Sequence, residues 1–118
     1  MITKSTKIIC KGIEIANTIL EPETAKEKAK GMYKFPVEKG KAMVFFNYMG
    51  TPMMFDMLWM KEKLGFIAVN MKNEIVDVGI LRPWRSIKWY AKGVTAFIET
   101  HPDSIMGLNK GDMIKWIE

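Results

Sequence analysis

Three apolar runs stand out along the chain, FDMLWM, LGFIAVNM and EIVDVGIL, all within residues 55–85. Short polar breaks separate them, Lys61-Glu62-Lys63 and then Lys72-Asn73, and the stretch closes on Pro83-Trp84-Arg85. Apolar runs of this length between turn signals predict the central meander of a small sheet. Residues 64–71 read as a strand that is apolar on both sides, with Gly65 near its start. Residues 75–81 return beside it as an antiparallel hairpin. In residues 54–60, Phe55, Met57 and Trp59 alternate with Met54, Asp56, Leu58 and Met60. Both faces are mostly apolar, so Asp56 stands out.

The flanking segments extend the same pattern. Residues 7–15 hold two short β-branched runs broken at Lys11-Gly12, a hairpin or a bent strand. Thr24-Ala25-Lys26-Glu27 has the form of a capping box, in which Thr24 accepts from the amide of Glu27 and Glu27 reaches back to that of Thr24. Ala25, Ala29 and Met32 then share one helix face, and Gly31 is a natural C-terminal cap. A helix of about two turns is marginal alone, so it is expected to dock on the sheet. Residues 42–46 are a buried strand, 47–52 a loop, 82–92 a loop or irregular crossing, and 94–99 a strand. Residues 102–108 form one helical or 3₁₀ turn, Gly111-Asp112 a tight turn, and 113–117 a closing strand. The expected fold is mainly β: a small single-domain β-sandwich or barrel over residues 1–118, with six to seven mostly antiparallel strands and one short helix.

Composition supports a self-sufficient core. The 118 residues are 48% hydrophobic, enough for one domain without disulfides or metal. Eleven methionines read as an adaptable core, or else as an exposed face that accepts varied partners. Cys10 is the single cysteine, which rules out an internal disulfide and a cysteine-based zinc site. It is expected to be a buried small hydrophobe, and the composition suits a reducing cytosol. The first eleven residues lack the apolar core of a signal peptide, and no run approaches the roughly 18 apolar residues of a membrane span. The expectation is therefore a soluble, cytoplasmic protein with no membrane partner. A net charge of +5 suits an anionic partner, or an ordinary solvated surface.

Several of these segments together resemble one family, the conserved bacterial and archaeal family catalogued as domain of unknown function number 192. The similar positions are Thr24, Glu27, Gly31 and Met32, the run Ala42-Met43-Val44-Phe45, the triplet Trp59-Met60-Lys61, and Glu74-Ile75-Val76-Asp77-Val78. Pro83-Trp84-Arg85, Glu99, Gly111-Asp112 and Trp116 resemble the family's archaeal branch. Relatives commonly carry Pro and Asp where this chain has Lys63 and Gly65, and often a His at Asp56. Tyr33 and Phe35 replace a Met and an Arg of the family pattern. The resemblance implies a compact, mostly β fold with one short helix, and no particular activity.

Candidate chemistry concentrates in a few places. No catalytic residue, metal ligand or cofactor motif is assigned. His101 and Cys10 are far apart, the serines lack a nucleophile elbow, and no glycine loop cradles phosphate. Asp56 and Glu99 are carboxylates set in apolar strands, so each must pair, protonate or face solvent. Either of them is a perturbed acid in a pocket, or else an edge residue pointing to water or one ion-paired with Lys61 or an arginine. Residues 82–92 carry Arg82, Arg85, Lys88 and Lys92 with no acid, interleaved with Trp84, Trp89 and Tyr90. Guanidinium can fork onto phosphate or carboxylate, and the rings can stack on a base or a sugar. Otherwise Trp84 and Trp89 cap the core, and Arg85 pairs with Asp77 or Glu99. The ligand-binding candidates are thus Asp56, Lys61, Arg82, Trp84, Arg85, Lys88, Trp89 and Glu99. The expected role is non-enzymatic binding of a small anionic or sugar-like ligand, or of a protein partner. Nucleic-acid binding through residues 82–92 is the alternative, and an enzyme using Asp56 or Glu99 as general acid or base is the third.

Overall fold

The structure is a computed structural model and describes residues 1–32, 35–57 and 60–118. The readings made above for Tyr33, Leu58 and Trp59 lie outside the described residues. In chain order the strands are β1 (Ile2–Lys4), β2 (Lys7–Cys10), β3 (Ile13–Glu21), β4 (Gly40–Phe46), β5 (Met53–Asp56), β6 (Leu64–Val69), β7 (Ile75–Leu81), β8 (Ile87–Tyr90), β9 (Ala96–Thr100) and β10 (Ile114–Ile117). Helix α1 (Ala25–Lys30) follows β3, and a 3₁₀ turn (Pro102–Ile105) follows β9. No helix among the described residues is long and apolar enough to cross a membrane.

One curled sheet runs β10-β2-β3-β4-β9-β6-β7, with β1 added to β3, and forms a half-barrel. Its pairs are antiparallel except β3 with β4. A parallel pair needs a crossover, and the segment carrying α1 supplies it. The sheet's two edges meet at one corner. The amides of Ile75 and Ile114 donate to the carbonyls of Asp112 and Asn73, each at 2.8 Å, beside a bridge between Glu74 and Met113. Strands β5 and β8 pair only with each other.

Strand alternation divides the core in two. Ile8, Ile15, Ile19, Ala42, Val44, Ile67, Val69, Ile75, Ile98 and Ile114 fill the inside of the curl. Met43, Phe45, Leu64, Phe66, Ala68, Leu81 and Phe97 line the other face, covered by Met32, Met57 and Met60 and by Phe55 and Tyr90 of the small sheet. This explains the two-sided apolar run of β6, all six of whose residues are buried. The methionines divide: Met32, Met43, Met57 and Met60 are core, while Met49, Met54, Met71, Met106 and Met113 are exposed. Cys10 is buried and free, as expected. A Cβ at Gly65 would meet the carbonyl of His101 and Ile105 at 3.1 Å, so the position where the family pattern has an acid is packed scaffold here.

Most elements stand where the pattern put them, with three differences. Among the described residues the strands number ten rather than six or seven, because the N-terminal region holds β1, β2 and β3 and because β8 adds to the count. The second difference is β8, expected as loop: its apolar residues face outward, which hides a strand from a hydrophobicity reading. The third concerns α1. Its capping box forms, with Thr24 Oγ1 accepting from Glu27 and Glu27 Oε1 from Thr24, both at 3.1 Å, and Gly31 caps it at φ 53°. Yet Ala25 and Ala29 are exposed and the helix buries no residue. With six residues it has no full apolar stripe. It is tied instead by the Met1 ammonium to Glu27 at 2.6 Å, and by the buried Met32 that follows its cap.

Phe97→Ala removes the ring that joins the main sheet to its cover. The expected cost is about 3–5 kcal/mol of unfolding free energy, read as a lower urea midpoint at unchanged slope. A loss near zero would show that the two sheets are not energetically coupled through this residue.

Candidate functional site

The candidate face exists because the half-barrel's outer apolar face needs a lid. Phe55 of β5 stacks on Phe97 with centroids 3.8 Å apart and planes 9° apart, and meets Phe45 edge-on at 5.1 Å. Phe97 also stacks with Phe66 at 5.6 Å. Tyr90 of β8 tilts against Phe97 at 5.9 Å and donates its hydroxyl to Asp77 Oδ2 at 2.8 Å. Burial and that bond raise the Tyr90 hydroxyl well above the usual phenol range. Lys88 Nζ lies 3.2 Å from the same carboxylate and 4.9 Å from the centre of the Phe66 ring. Lys88, Tyr90 and Asp77 therefore form a polar clasp between the two sheets.

Once Lys88 and Tyr90 point inward, their neighbours must point outward. Cross-strand pairing sets Met54 opposite Trp89 and Asp56 opposite Ile87 on the outer face, and all four are exposed. Trp89 is 64% exposed and Trp84 57%. The tryptophans do not cap the core; the inner face of the small sheet is already filled by Phe55, Tyr90 and Lys88.

The turn before β8 is built on Arg82 and Ser86. The Arg82 amide donates to Ser86 Oγ at 2.7 Å, and the Trp84 amide donates to the Met57 carbonyl at 2.9 Å. Trp84 holds φ 63°, a left-handed conformation that is costly for a bulky residue, and the turn thrusts its ring outward. Arg82, Arg85 and Lys92 are exposed and make no ion pair among the described residues. Asp77 takes Lys88 rather than Arg85. A broad, open cleft of ≈ 690 Å³ runs beside β8, lined by Trp89, Lys88, Lys92 and Lys110 with Asp77 at its wall. Of the residues singled out from the sequence, Asp56, Arg82, Trp84, Arg85, Lys88 and Trp89 thus gather on or around the small sheet. Lys61 lies exposed in the β5–β6 connection and does not line this cleft. Sequence reasoning missed Met54, Ile87 and Lys110. Met54 and Ile87 carried a signal, the strict period of two in which Ile87 and Trp89 alternate with Lys88 and Tyr90.

Glu99 stands apart. It sits on the outer-face side of β9 between Met43 and Phe66, only 4% exposed. Its Oε1 has no hydrogen-bond partner among the described residues. Gly31 lies beside it: its backbone angle of φ 53° favours glycine, and a Cβ there would lie in ordinary contact, 3.4 Å from that oxygen. Burial raises the carboxyl from 4.5 to about 8, with the nearby Asp56 charge adding to the rise. Glu99 is therefore a neutral acid at pH 7. Neither Glu99 nor Asp56 lines either of the two larger clefts.

The elements define a class: a small half-barrel β-domain bearing a basic, aromatic outer face. No family model and no curated protein matches the chain. Two solved structures share its fold. One, from Sinorhizobium meliloti 1021, is described as a "putative transcription regulator"; it aligns with a TM-score of 0.80 and 15% identity over 98% of this chain and 94% of its own. The other is a protein of unknown function from Novosphingobium aromaticivorans, at a TM-score of 0.78 and 17% identity over 94% of this chain and 83% of its own.

A raised folded-state pKa on an acid means that the unfolded chain loses the proton first as pH rises. Stability from Glu99 is full below about pH 4.5 and is lost up to about pH 8. Glu99→Gln keeps the neutral shape and removes the titration. The variant's melting temperature, relative to wild type, is expected to climb between pH 5 and pH 8.5. Parallel melting curves across that range would refute a neutral buried Glu99.

Proposed function

We propose that this protein is a non-enzymatic binding domain whose outer β5–β8 face takes an anionic ligand carrying a flat ring. The observation behind this reading is that two tryptophans are more than half exposed beside Arg82, Arg85 and Lys92, none of them ion-paired among the described residues. A ring can stack on Trp89 while phosphate or carboxylate meets the cations at the rim. The reading places the protein in a reducing cytosol, which suits its free Cys10. It also treats the chain as an archaeal-type member of the family catalogued as domain of unknown function number 192, on the order of the motifs from Thr24 to Trp116.

Single-stranded nucleic acid is the second reading. The cleft of ≈ 690 Å³ is open and carries Lys88, Lys92 and Lys110 in its lining beside Trp89, the combination of cations and a ring that a nucleic-acid strand uses. The description of the Sinorhizobium meliloti protein points the same way, though at 15% identity it speaks for that protein.

Tryptophan fluorescence titrations with adenosine monophosphate and with a uridine or thymidine oligomer separate the readings. Saturable quenching by both is expected, with Trp89→Ala weakening binding by about tenfold or more and leaving the melting temperature unchanged. The small-ligand reading predicts a shallow salt response and no gain with oligomer length. Affinity that grows with length and falls steeply with salt favours the nucleic-acid reading. If neither probe quenches at low salt, the face does not bind ring-bearing anions.

A further inference from the structure

A second cleft, at the open end of the half-barrel, belongs to neither the basic face nor the Glu99 pocket. It encloses ≈ 370 Å³, within the range of small-molecule sites. Its floor and walls come from the ends of β1, β3, β4, β9 and β10 and from the β6–β7 turn. Three of its residues are aromatic. Phe46 and Tyr48 stack nearly parallel, 7° apart with centroids at 5.5 Å, and Trp116 tilts against Phe46 at the same distance. Tyr48 is 79% exposed, so the platform continues outward past the rim.

The cleft is lined by the uncharged polar side chains of Thr6, Asn73 and Thr95 and by the charged Lys4 and Glu118. Thr6 is only 6% exposed and lines the cleft. Asn73 is fixed at φ 62° in the β6–β7 turn, and its Oδ1 accepts from the Trp116 indole at 3.1 Å. That bond occupies the Asn73 carbonyl oxygen and not its NH₂. Thr95 also lines the cleft, with its hydroxyl donating to the Val69 carbonyl at 3.4 Å. The one cation, Lys4, is held by Glu21 at 2.8 Å, and Glu118 supplies an opposite charge. A cleft with the exposed Tyr48 ring backed by Phe46, the Thr6 and Asn73 side chains in its lining and no uncommitted cation fits a neutral ring with hydroxyls on its edge and C–H bonds on its face.

We propose that this end cleft is a carbohydrate-binding site for a neutral mono- or disaccharide, with the exposed Tyr48 ring, backed by Phe46 and Trp116, as the stacking surface and Thr6 and Asn73 as the polar contacts. The apolar face of a pyranose lies on the rings, and its hydroxyls exchange bonds with water for bonds to Thr6 and Asn73. The site is independent of the outer face, which recognises charge.

Nitrogen-15 NMR of the full chain tests it, using glucose, galactose, mannose, N-acetylglucosamine and their common disaccharides, with adenosine and uridine as neutral rings lacking the sugar-only pattern. The expected result is saturable shifting of the Trp116 indole and Asn73 side-chain signals by at least one sugar. Tyr48→Ala, at an exposed position, should weaken that binding by about tenfold, which corresponds to about 1.4 kcal/mol. Thr6→Val should also weaken it, and Trp89→Ala should leave it unchanged. The proposal is overturned if no sugar shifts these signals saturably. It is equally overturned if only the free nucleosides do so, if Tyr48→Ala binds as wild type does, or if Trp89→Ala abolishes sugar binding.

Discussion

Stacking of Phe55 on Phe97 at 3.8 Å is the contact on which the rest of the architecture depends. Strand β9 lies between β4 and β6 and is buried along its whole length, so both of its faces need cover. The curl of the sheet covers the face of Ala96, Ile98 and Thr100. The face of Phe97 has no such help, because the sheet bends away from it. A separate two-stranded sheet supplies that cover, and such a sheet is marginal alone. Its stability comes from burying Phe55 and Tyr90 against Phe97, so the position of every residue on its outer side follows from that stack.

The same alternation that places Phe97 also places Glu99. Two residues further along β9, its side chain must enter the covered layer. An apolar residue there would be the simpler choice for stability, because a buried carboxyl without a partner costs free energy whether it is charged or neutral. Gly31 lies against it, in a left-handed conformation with φ 53° that costs any other residue free energy. Two positions thus depart from what the fold alone prefers, and they meet at one place. Local departures of this kind gather where a sequence serves something besides stability.

Much of the main sheet was legible in the sequence because its signals are local. The β6–β7 hairpin follows from apolar runs flanking Lys72-Asn73, and the α1 cap follows from the spacing of Thr24 and Glu27. The exposure of Ala25 and Ala29 was not legible, since it depends on where a six-residue helix lands on a surface folded from distant strands. Strand β8 was hidden for a different reason. Its alternation is regular but inverted, with Lys88 inside and Ile87 and Trp89 outside, so hydrophobicity pointed to a loop. The basic-aromatic composition did mark the right segment. It could not show that Lys88 is committed to Asp77, because those residues come together only through the packing of two sheets. The end cleft was out of reach, since Thr6, Phe46, Asn73 and Trp116 come from four separated stretches.

The inversion in β8 bears on what the outer face is for. On the inner side, Lys88 pairs with Asp77 and lies over the Phe66 ring while keeping part of its contact with water, and a half-buried pair of this kind adds little net stability over a well-packed apolar residue. Outside, Met54, Ile87, Trp84 and Trp89 forgo the burial that would favour them. Exchanging the two sides would satisfy both demands at no loss of strand geometry. Core packing therefore does not account for the arrangement, and solubility argues against it, because exposed apolar groups in one patch favour association. What the inversion does provide is aromatic surface already rigid and already dry on its inner side, ringed by Arg82, Arg85 and Lys92. A surface of that kind loses little conformational entropy when a ring settles on it, which is the advantage of a preorganised binding face.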